Sequence, residues 1–503
     1  MIAHLASGLV EVFQFSNIIA ILAGVVVGYF IGAMPGLTPS IGIALLVPVT
    51  YGMDPVTSIL LLTSLYIAAE YGGGITAILL NAPGTPAAMA TSFDGYQMTQ
   101  QGEAGKALSI SIISSAIGAF TSAVLLILTA VPMASFALTF GPTEYFALAL
   151  FGLSLISTLS RGTSLIKAIL SMLLGLLVVT IGLDSFTGTP RFAFTVQLQE
   201  GIPFLPALIG LFALSEVFYM LENAKEKQIE TKFVKGAGAP LSLLKKIWLT
   251  LLRAPLIGYI IGVVPGAGTT IASLISYSEA KRASKDSDSF GKGNPEGIAA
   301  SEGANNAAVS GSFAPLFALG IPGSASAAIM IGAMTLQGLQ PGPLLFTQNP
   351  EIPYSVFATL LVSVPIMLFV GLWGVRLWVN VVRIPKKILA VIVSGICILG
   401  SYAYSNSMYP VIVMTVFGLI GYWLRKVNIP TTPMVLALVL GPIMETNFRR
   451  ALTVSQGDYA FFLQQSEMKD RGILGGDRVY DIDFVSDYFF VSEKTGFVIT
   501  YPY

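Results

Sequence analysis

Gly28-Tyr29-Phe30-Ile31-Gly32-Ala33-Met34-Pro35-Gly36 returns 230 residues later as Gly258-Tyr259-Ile260-Ile261-Gly262-Val263-Val264-Pro265-Gly266. In both copies Pro-Gly interrupts an apolar run in mid-stretch. Hydrophobic segments broken at matching places in two halves are the strongest sequence pointer to a transporter binding site. The chain reads as a duplicated membrane carrier.

Composition agrees. Of 503 residues only 11% are charged and 54% are hydrophobic, and the mean hydropathy is +0.77. Such a chain cannot present a soluble surface, so an integral membrane protein is expected. Apolar runs of bilayer-crossing length lie at 56–81, 107–131, 165–182, 204–221, 354–374, 388–404 and 408–424. With the shorter runs between them, about 10–12 crossings are expected. Lys plus Arg balance Asp plus Glu at 27 each, so net charge points to no nucleic-acid partner. The single cysteine, Cys397, lies in an apolar run and reads as packing. The N-terminal stretch Met1–Ser16 has no Lys or Arg, hence no basic region of a cleavable signal, and the first hydrophobic segment is expected to be retained.

Charge divides the chain. No Lys or Arg precedes Lys106, whereas Lys225, Lys227, Lys232, Lys235, Lys245, Lys246 and Arg253 crowd the connection between the halves, beside the turn residues Gly236, Gly238 and Pro240. The positive-inside rule places that connection in the cytoplasm, along with the clusters Arg376–Lys387 and Arg425–Lys426. The expected organisation is a membrane repeat over 17–221, a basic cytoplasmic connection over 222–253, a second membrane repeat over 254–450 and a polar tail over 463–503. Arg253, Lys281, Arg282 and Lys285 bracket the second Pro-Gly break, which suits a re-entrant hairpin entering from the cytoplasm. The first break lies between Glu11 and Asp54 with no basic neighbour, which suits entry from the opposite face. That pattern describes an inverted repeat; a parallel repeat leaves the charge asymmetry unexplained.

A second matched pair follows, Leu80-Asn81-Ala82-Pro83-Gly84-Thr85-Pro86-Ala87 and Leu319-Gly320-Ile321-Pro322-Gly323-Ser324-Ala325-Ser326. The fold expected is therefore all-α and polytopic, with two inverted repeats whose broken or re-entrant hairpins meet near the midplane. Unpaired backbone at bilayer depth costs several kcal/mol unless it faces protein, water or ligand. Half-helix N-termini offer free N–H groups and about half a positive charge, suited to a carboxylate; unwound carbonyls and half-helix C-termini suit a sodium ion. Candidate substrate-binding residues are Pro35, Gly36, Thr38, Ser40, Asn81, Gly84, Thr85, Gly266, Gly268, Thr269, Thr270, Gly323, Ser324 and Ser326. No Arg or Lys lies in any of the four breaks. Taken singly, each Pro-Gly is as well explained by close helix packing or a plain kink; the doubling favours binding.

Glu296–Ala308 holds Glu302, Asn305 and Asn306 at spacings that share a helix face. An intramembrane carboxylate is a functional candidate, and these three are the ion or gating candidates; the plainer alternative is a surface helix with solvated glutamates. Glu70, ahead of Tyr71-Gly72-Gly73-Gly74, holds a loosely similar place in the first half, and Asp94-Gly95-Tyr96 reads as a structural turn.

The strings Met34–Pro39, Tyr71-Gly72-Gly73, Leu79–Pro86 and Asp94-Gly95-Tyr96, with Pro265–Gly268, Ser276-Tyr277, Glu302, Asn305–Ala308, Leu319–Ser324 and Gly338–Pro343, resemble the large membrane subunit of the tripartite tricarboxylate transporters, the TctA family. The likeness runs from about residue 17 to about 460. It implies secondary uptake of a carboxylate, whether tricarboxylate, dicarboxylate or aromatic acid, across the bacterial inner membrane. It further implies a sodium or proton gradient as the drive, no cofactor, a small membrane subunit (TctB-like) and a periplasmic solute-binding protein (TctC-like) that sets most of the selectivity. Glu70 and Gly74 depart from the small residue and the serine that the resemblance leads one to expect. The tail from Gln464 to Tyr503, with Asp477, Asp481, Asp483 and Asp487 among aromatics, departs further. It is too charged to cross a bilayer and lacks the spacing of a calcium loop.

Two other classes stand as alternatives. An intramembrane enzyme would need a base or metal at depth, yet the only histidine is His4, and there is no His-Glu-x-x-His motif. No Gly-x-x-x-x-Gly-Lys-[Ser/Thr] is present to draw on ATP. A channel lined by the hairpins is the third reading, separable by whether flux saturates and follows a gradient.

Overall fold

In a computed structural model the chain is described over residues 2–34, 36–154, 164–222, 240–381 and 384–462. Pro35, the basic residues from Lys225 to Lys235, Arg383 and the polar tail lie outside the described residues. Leaving aside short connecting turns, the helices are α1 (Ile2–Val12), α2 (Phe15–Gly32), α3 (Pro39–Leu46), α4 (Pro55–Leu80), α5 (Met89–Gln100), α6 (Ala104–Ala137), α7 (Pro142–Ser154) and α8 (Leu165–Val179). They continue as α9 (Phe204–Glu222), with a π-helical segment at Ile209–Leu214, then α10 (Trp248–Val263), α11 (Gly268–Ala283), α12 (Pro295–Leu319) and α13 (Ala325–Leu336). The last four are α14 (Glu351–Val381), α15 (Lys386–Ala403), α16 (Met408–Lys426) and α17 (Thr432–Val454). A two-stranded antiparallel ribbon pairs Gly182 with Arg191 and Leu183 with Pro190.

The all-α polytopic expectation holds. Among the described residues seven helices are long and apolar enough to cross a membrane, and four shorter apolar helices accompany them. Three of the short ones, α3, α10 and α13, directly border a Pro-Gly break. The apolar run is there but the helix is cut.

Two helices form the centre, and they are built alike. Asp54 caps α4, its Oδ1 accepting from the Val56 and Thr57 amides at 2.9 and 3.2 Å, with Pro55 in the first turn. Asn294 caps α12 by accepting from the Glu296 amide at 2.8 Å, again with Pro next. Both suit the first turn, where a free acceptor satisfies N–H groups that lack a helical partner and proline forfeits none. Each helix ends on a left-handed residue, Asn81 (φ 53°) and Gly320 (φ 70°), followed by a break. Nearly every side chain along both is buried.

Glycines set how closely their neighbours approach. A Cβ on Gly28 or Gly32 of α2 would stand 2.5 or 2.1 Å from the carbonyl oxygens of Leu65 and Ala69 on α4. A Cβ on Gly258 or Gly262 of α10 would stand 2.3 or 2.5 Å from those of Ala304 and Ala308 on α12. Without a hydrophobic force between helices in lipid, such contact of backbones is what holds them. The outermost helices carry the lipid-facing side chains: Val391 and Leu399 on α15 and Trp373 on α14 are exposed. The described residues from Thr446 to Phe462 belong to a second unit, in which Phe448 and Phe462 stack at 5.4 Å.

Candidate functional site

Each break leads into a new helix. Thr38 Oγ1 accepts from the Ile41 amide at the start of α3, and Ser324 Oγ accepts from the Ala327 amide, at 3.1 Å, at the start of α13. After the third break α11 begins at Gly268 (φ +65°), and after the second a turn of 3-10 helix over Pro86–Ala88 leads into α5.

The four breaks meet. Ser40 and Ser326 share a hydroxyl–hydroxyl bond of 2.9 Å that joins the first to the fourth. The Gly266 amide donates to the Gly323 carbonyl at 3.1 Å, joining third to fourth. Ser273 of α11 donates to the Ala87 carbonyl at 2.8 Å, joining third to second. Gly84 closes against the first, for a Cβ there would meet the Gly32 carbonyl oxygen at 2.0 Å, and one on Gly323 would meet the Gly262 oxygen at 2.8 Å. Only glycine allows these approaches.

Among the predicted residues, Ser40, Gly84, Thr85, Gly266, Thr269, Gly323, Ser324 and Ser326 are buried in or beside this junction. Gly36 (φ +97°) is half-buried and faces α9: a Cβ would stand 2.6 Å from Glu216 Oε1. Glu216 in turn pairs with Arg425, which lies over the Tyr219 ring at 3.7 Å. Gly268 lies 3.9 Å from the Ser324 Cβ by the same measure. Three predicted residues are not gathered in. Asn81 is exposed and ends α4, Thr38 is half-buried and caps α3, and Thr270 is half-buried with no side-chain hydrogen bond among the described residues.

The acidic helix is no surface loop: Glu302, Asn305 and Asn306 are fully buried in α12, and only Glu296 is half-buried. Glu302 Oε1 accepts from Thr91 at 2.6 Å and Oε2 from Ser115 at 3.0 Å. Asn305 Nδ2 donates to the Glu70 carbonyl at 3.3 Å, and neither polar atom of Asn306 has a partner among the described residues. Asp94-Gly95-Tyr96 is not a turn but the middle of α5, where Ile78 packs against Gly95 in the space a side chain would need. Its role is nonetheless structural: Asp94 Oδ1 accepts from the amides of Gly291, Gly293 and Asn294, and Oδ2 from the Tyr277 hydroxyl.

Several partners had no local signal. Tyr66 donates to or accepts from Ser324 at 2.9 Å, and Thr91, Ser115 and Ser273 serve residues roughly 190–210 positions away. Tyr66 and Glu70 lie four apart on α4, a helix-face spacing visible in the sequence. Among the described residues there is no group of three or more His, Cys, Asp or Glu placed to hold a metal ion.

Residues 18–436 match the family described as "Tripartite tricarboxylate transporter TctA family". The chain belongs to that family. It is therefore a component of a tripartite tricarboxylate transporter, the large subunit, and a multi-pass membrane protein; the family is one of transporter components, not of enzymes. It is similar to an Agrobacterium vitis protein named for the TAR-I ttuC' 3' region, 36% identical over 464 residues, which cover 92% of each chain. A second A. vitis protein, named for the TAR-II ttuC' 3' region, is 37% identical over 206 residues, 41% of this chain and 85% of the relative. No solved structure matches.

Proposed function

We propose that the protein takes up a carboxylate, whether tricarboxylate, dicarboxylate or aromatic acid, across a bacterial inner membrane, coupled to a sodium or proton gradient and with no cofactor. It receives its substrate from a periplasmic solute-binding protein (TctC-like) and works beside a small membrane subunit (TctB-like). Residues 17–221 and 254–450 act as two repeats of opposite orientation, each contributing two breaks, and one hairpin from each half gates alternating access. The observation that carries this reading is the junction of four broken segments lined by amides and hydroxyls, with no basic side chain in any break. Helix N-termini and hydroxyls hold an anion without trapping it, and a cation offsets its charge during closure.

The test is uptake of labelled acids into vesicles reconstituted with all three components under imposed sodium or proton gradients. Saturable uptake that needs the binding protein and a gradient is expected, with Ser324→Ala raising the half-saturating substrate concentration several-fold. Flux that neither saturates nor follows a gradient would mean a channel instead.

A further inference from the structure

One turn of α4 has been stripped of side chains so that oxygen atoms can approach it. A Cβ on Gly73 would stand 2.5 Å from Thr85 Oγ1, and one on Gly74 would stand 2.7 Å from Glu302 Oε1. That same turn begins with Glu70, whose carbonyl accepts from Asn305 at 3.3 Å and whose Oε1 accepts from Thr269 at 3.0 Å. Two carboxylates, one from each half, thus flank a single helical turn, and they are close enough to interact electrostatically.

Neither has a basic partner among the described residues; the titratable groups that interact with them are Tyr66 and Tyr71. Burying one unpaired carboxylate costs several kcal/mol, and two side by side cost more. Glu302 satisfies both its oxygens with hydroxyls, but Glu70 Oε2, Thr85 Oγ1 and Asn305 Oδ1 are buried with no partner among the described residues. All three are able to accept, and Asn305 is already fixed on Glu70. Buried acceptors left without donors call for an occupant or a role, and a bound cation is one occupant that satisfies acceptors alone.

We infer that Glu70 and Glu302 hold one sodium-sized monovalent cation at the Glu70–Gly74 turn, with Thr85, Thr269 and Asn305 supplying the remaining oxygen ligands. An all-oxygen set suits a hard cation. The charge that one such ion leaves on the pair is opposed by the N-terminal end of α11, whose second residue, Thr269, holds Glu70. A monovalent ion is specified because a carrier must release it each cycle, so the inference rests on the transport reading for its purpose and on the geometry for its place.

Detergent-purified protein is titrated with sodium at constant ionic strength, with potassium, calcium and proton arms run beside it, and thermal stability is read. Sodium is expected to stabilise the wild type, and Glu70→Gln to raise the half-saturating sodium at least tenfold. Thr85→Val removes a hydroxyl that bonds to nothing in the fold. It should leave sodium-free stability equal or higher while raising the half-saturating sodium several-fold, which a folding defect cannot imitate. Unchanged sodium dependence in both variants overturns the site, as does a wild type that answers only to calcium or only to pH. Uptake by the reconstituted three-component system is measured in parallel. Uptake without any sodium response sinks the cation site and leaves the carrier; sodium stabilisation without uptake does the reverse.

Discussion

Replacing Asp94 by Ala should loosen the loop that enters α12. The carboxylate accepts from three amides, Gly291 at 2.8 Å, Gly293 at 2.9 Å and Asn294 at 2.7 Å, and from the Tyr277 hydroxyl at 2.8 Å. Gly291 and Gly293 are held at φ +83° and +106°, and their amides both point to this one carboxylate oxygen. Hydrogen bonds to a charged group contribute about 1.5–3 kcal/mol each, and because these amides are only partly shielded the low end applies. Three such bonds give about 4.5 kcal/mol for opening the loop. At 1.4 kcal/mol per tenfold, amide hydrogen exchange at 291–294 should quicken by roughly 10³. Asp94→Asn keeps an oxygen in place but loses the charge, and neutral bonds are about half as strong, so its exchange should rise by much less. Hydrogen exchange read by mass spectrometry on peptides covering Ser284–Asn294 measures both. Exchange in Asp94→Ala equal to wild type, or equal in the two variants, would refute the claim that this one carboxylate organises the loop.

The glycine contacts predict a graded pair. An ordinary contact begins near 3.4 Å, so Gly32→Ala, with its new carbon 2.1 Å from the Ala69 oxygen, requires α2 to retreat by about 1.3 Å, and Gly262→Ala, at 2.5 Å, requires about 0.9 Å of α10. Both should lower thermal stability and uptake, Gly32→Ala more so; wild-type behaviour in both would mean the helices are not in backbone contact. For the hydroxyl link between the first and fourth breaks, Ser40→Ala, Ser326→Ala and the double variant should give a coupling of about 0.5–1.5 kcal/mol in stability. Strict additivity would deny that the bond forms.

The two Pro-Gly pairs were legible as breaks because an interrupted apolar helix is a backbone event, written in the residues that make it. The apolar runs at 56–81, 107–131 and 204–221 likewise foretold α4, α6 and α9, since length and hydropathy are what a crossing requires. Asn81 lies apart from the junction for a different reason. As a left-handed helix end it has a sufficient structural role, and nothing local distinguishes an end that faces the junction from one that faces outward. Asp94 looked like a turn because Gly follows it, but Gly95 is there for Ile78. Glu70 was read only as a loose counterpart of the acidic helix and as a departure, because its partners Thr269, Asn305 and Glu302 lie in the other half and only tertiary packing brings them to it.

The matched stretches of the two halves agree more in the residues that shape the backbone than in those that carry charge. The 239-residue offset that aligns Asn81 with Gly320, Gly84 with Gly323 and Thr85 with Ser324 also aligns Gly72 with Gly311 and Gly73 with Ser312, so the cut helices share a frame. At the same offset Tyr66 meets Asn305, Glu70 meets Val309, and Glu302 meets Thr63, a buried hydroxyl with no partner. The two buried acids thus occupy non-equivalent positions of the frame. Out of register in the sequence, they come together at the single turn Glu70–Gly74, where Glu302 approaches in the room Gly74 leaves. On the carrier reading proposed above, the neutral amides and hydroxyls of the four breaks offer an anion donors from both halves. The charge is concentrated at one place among them, which is the arrangement expected if the breaks hold the substrate and the acids hold the ion that moves with it.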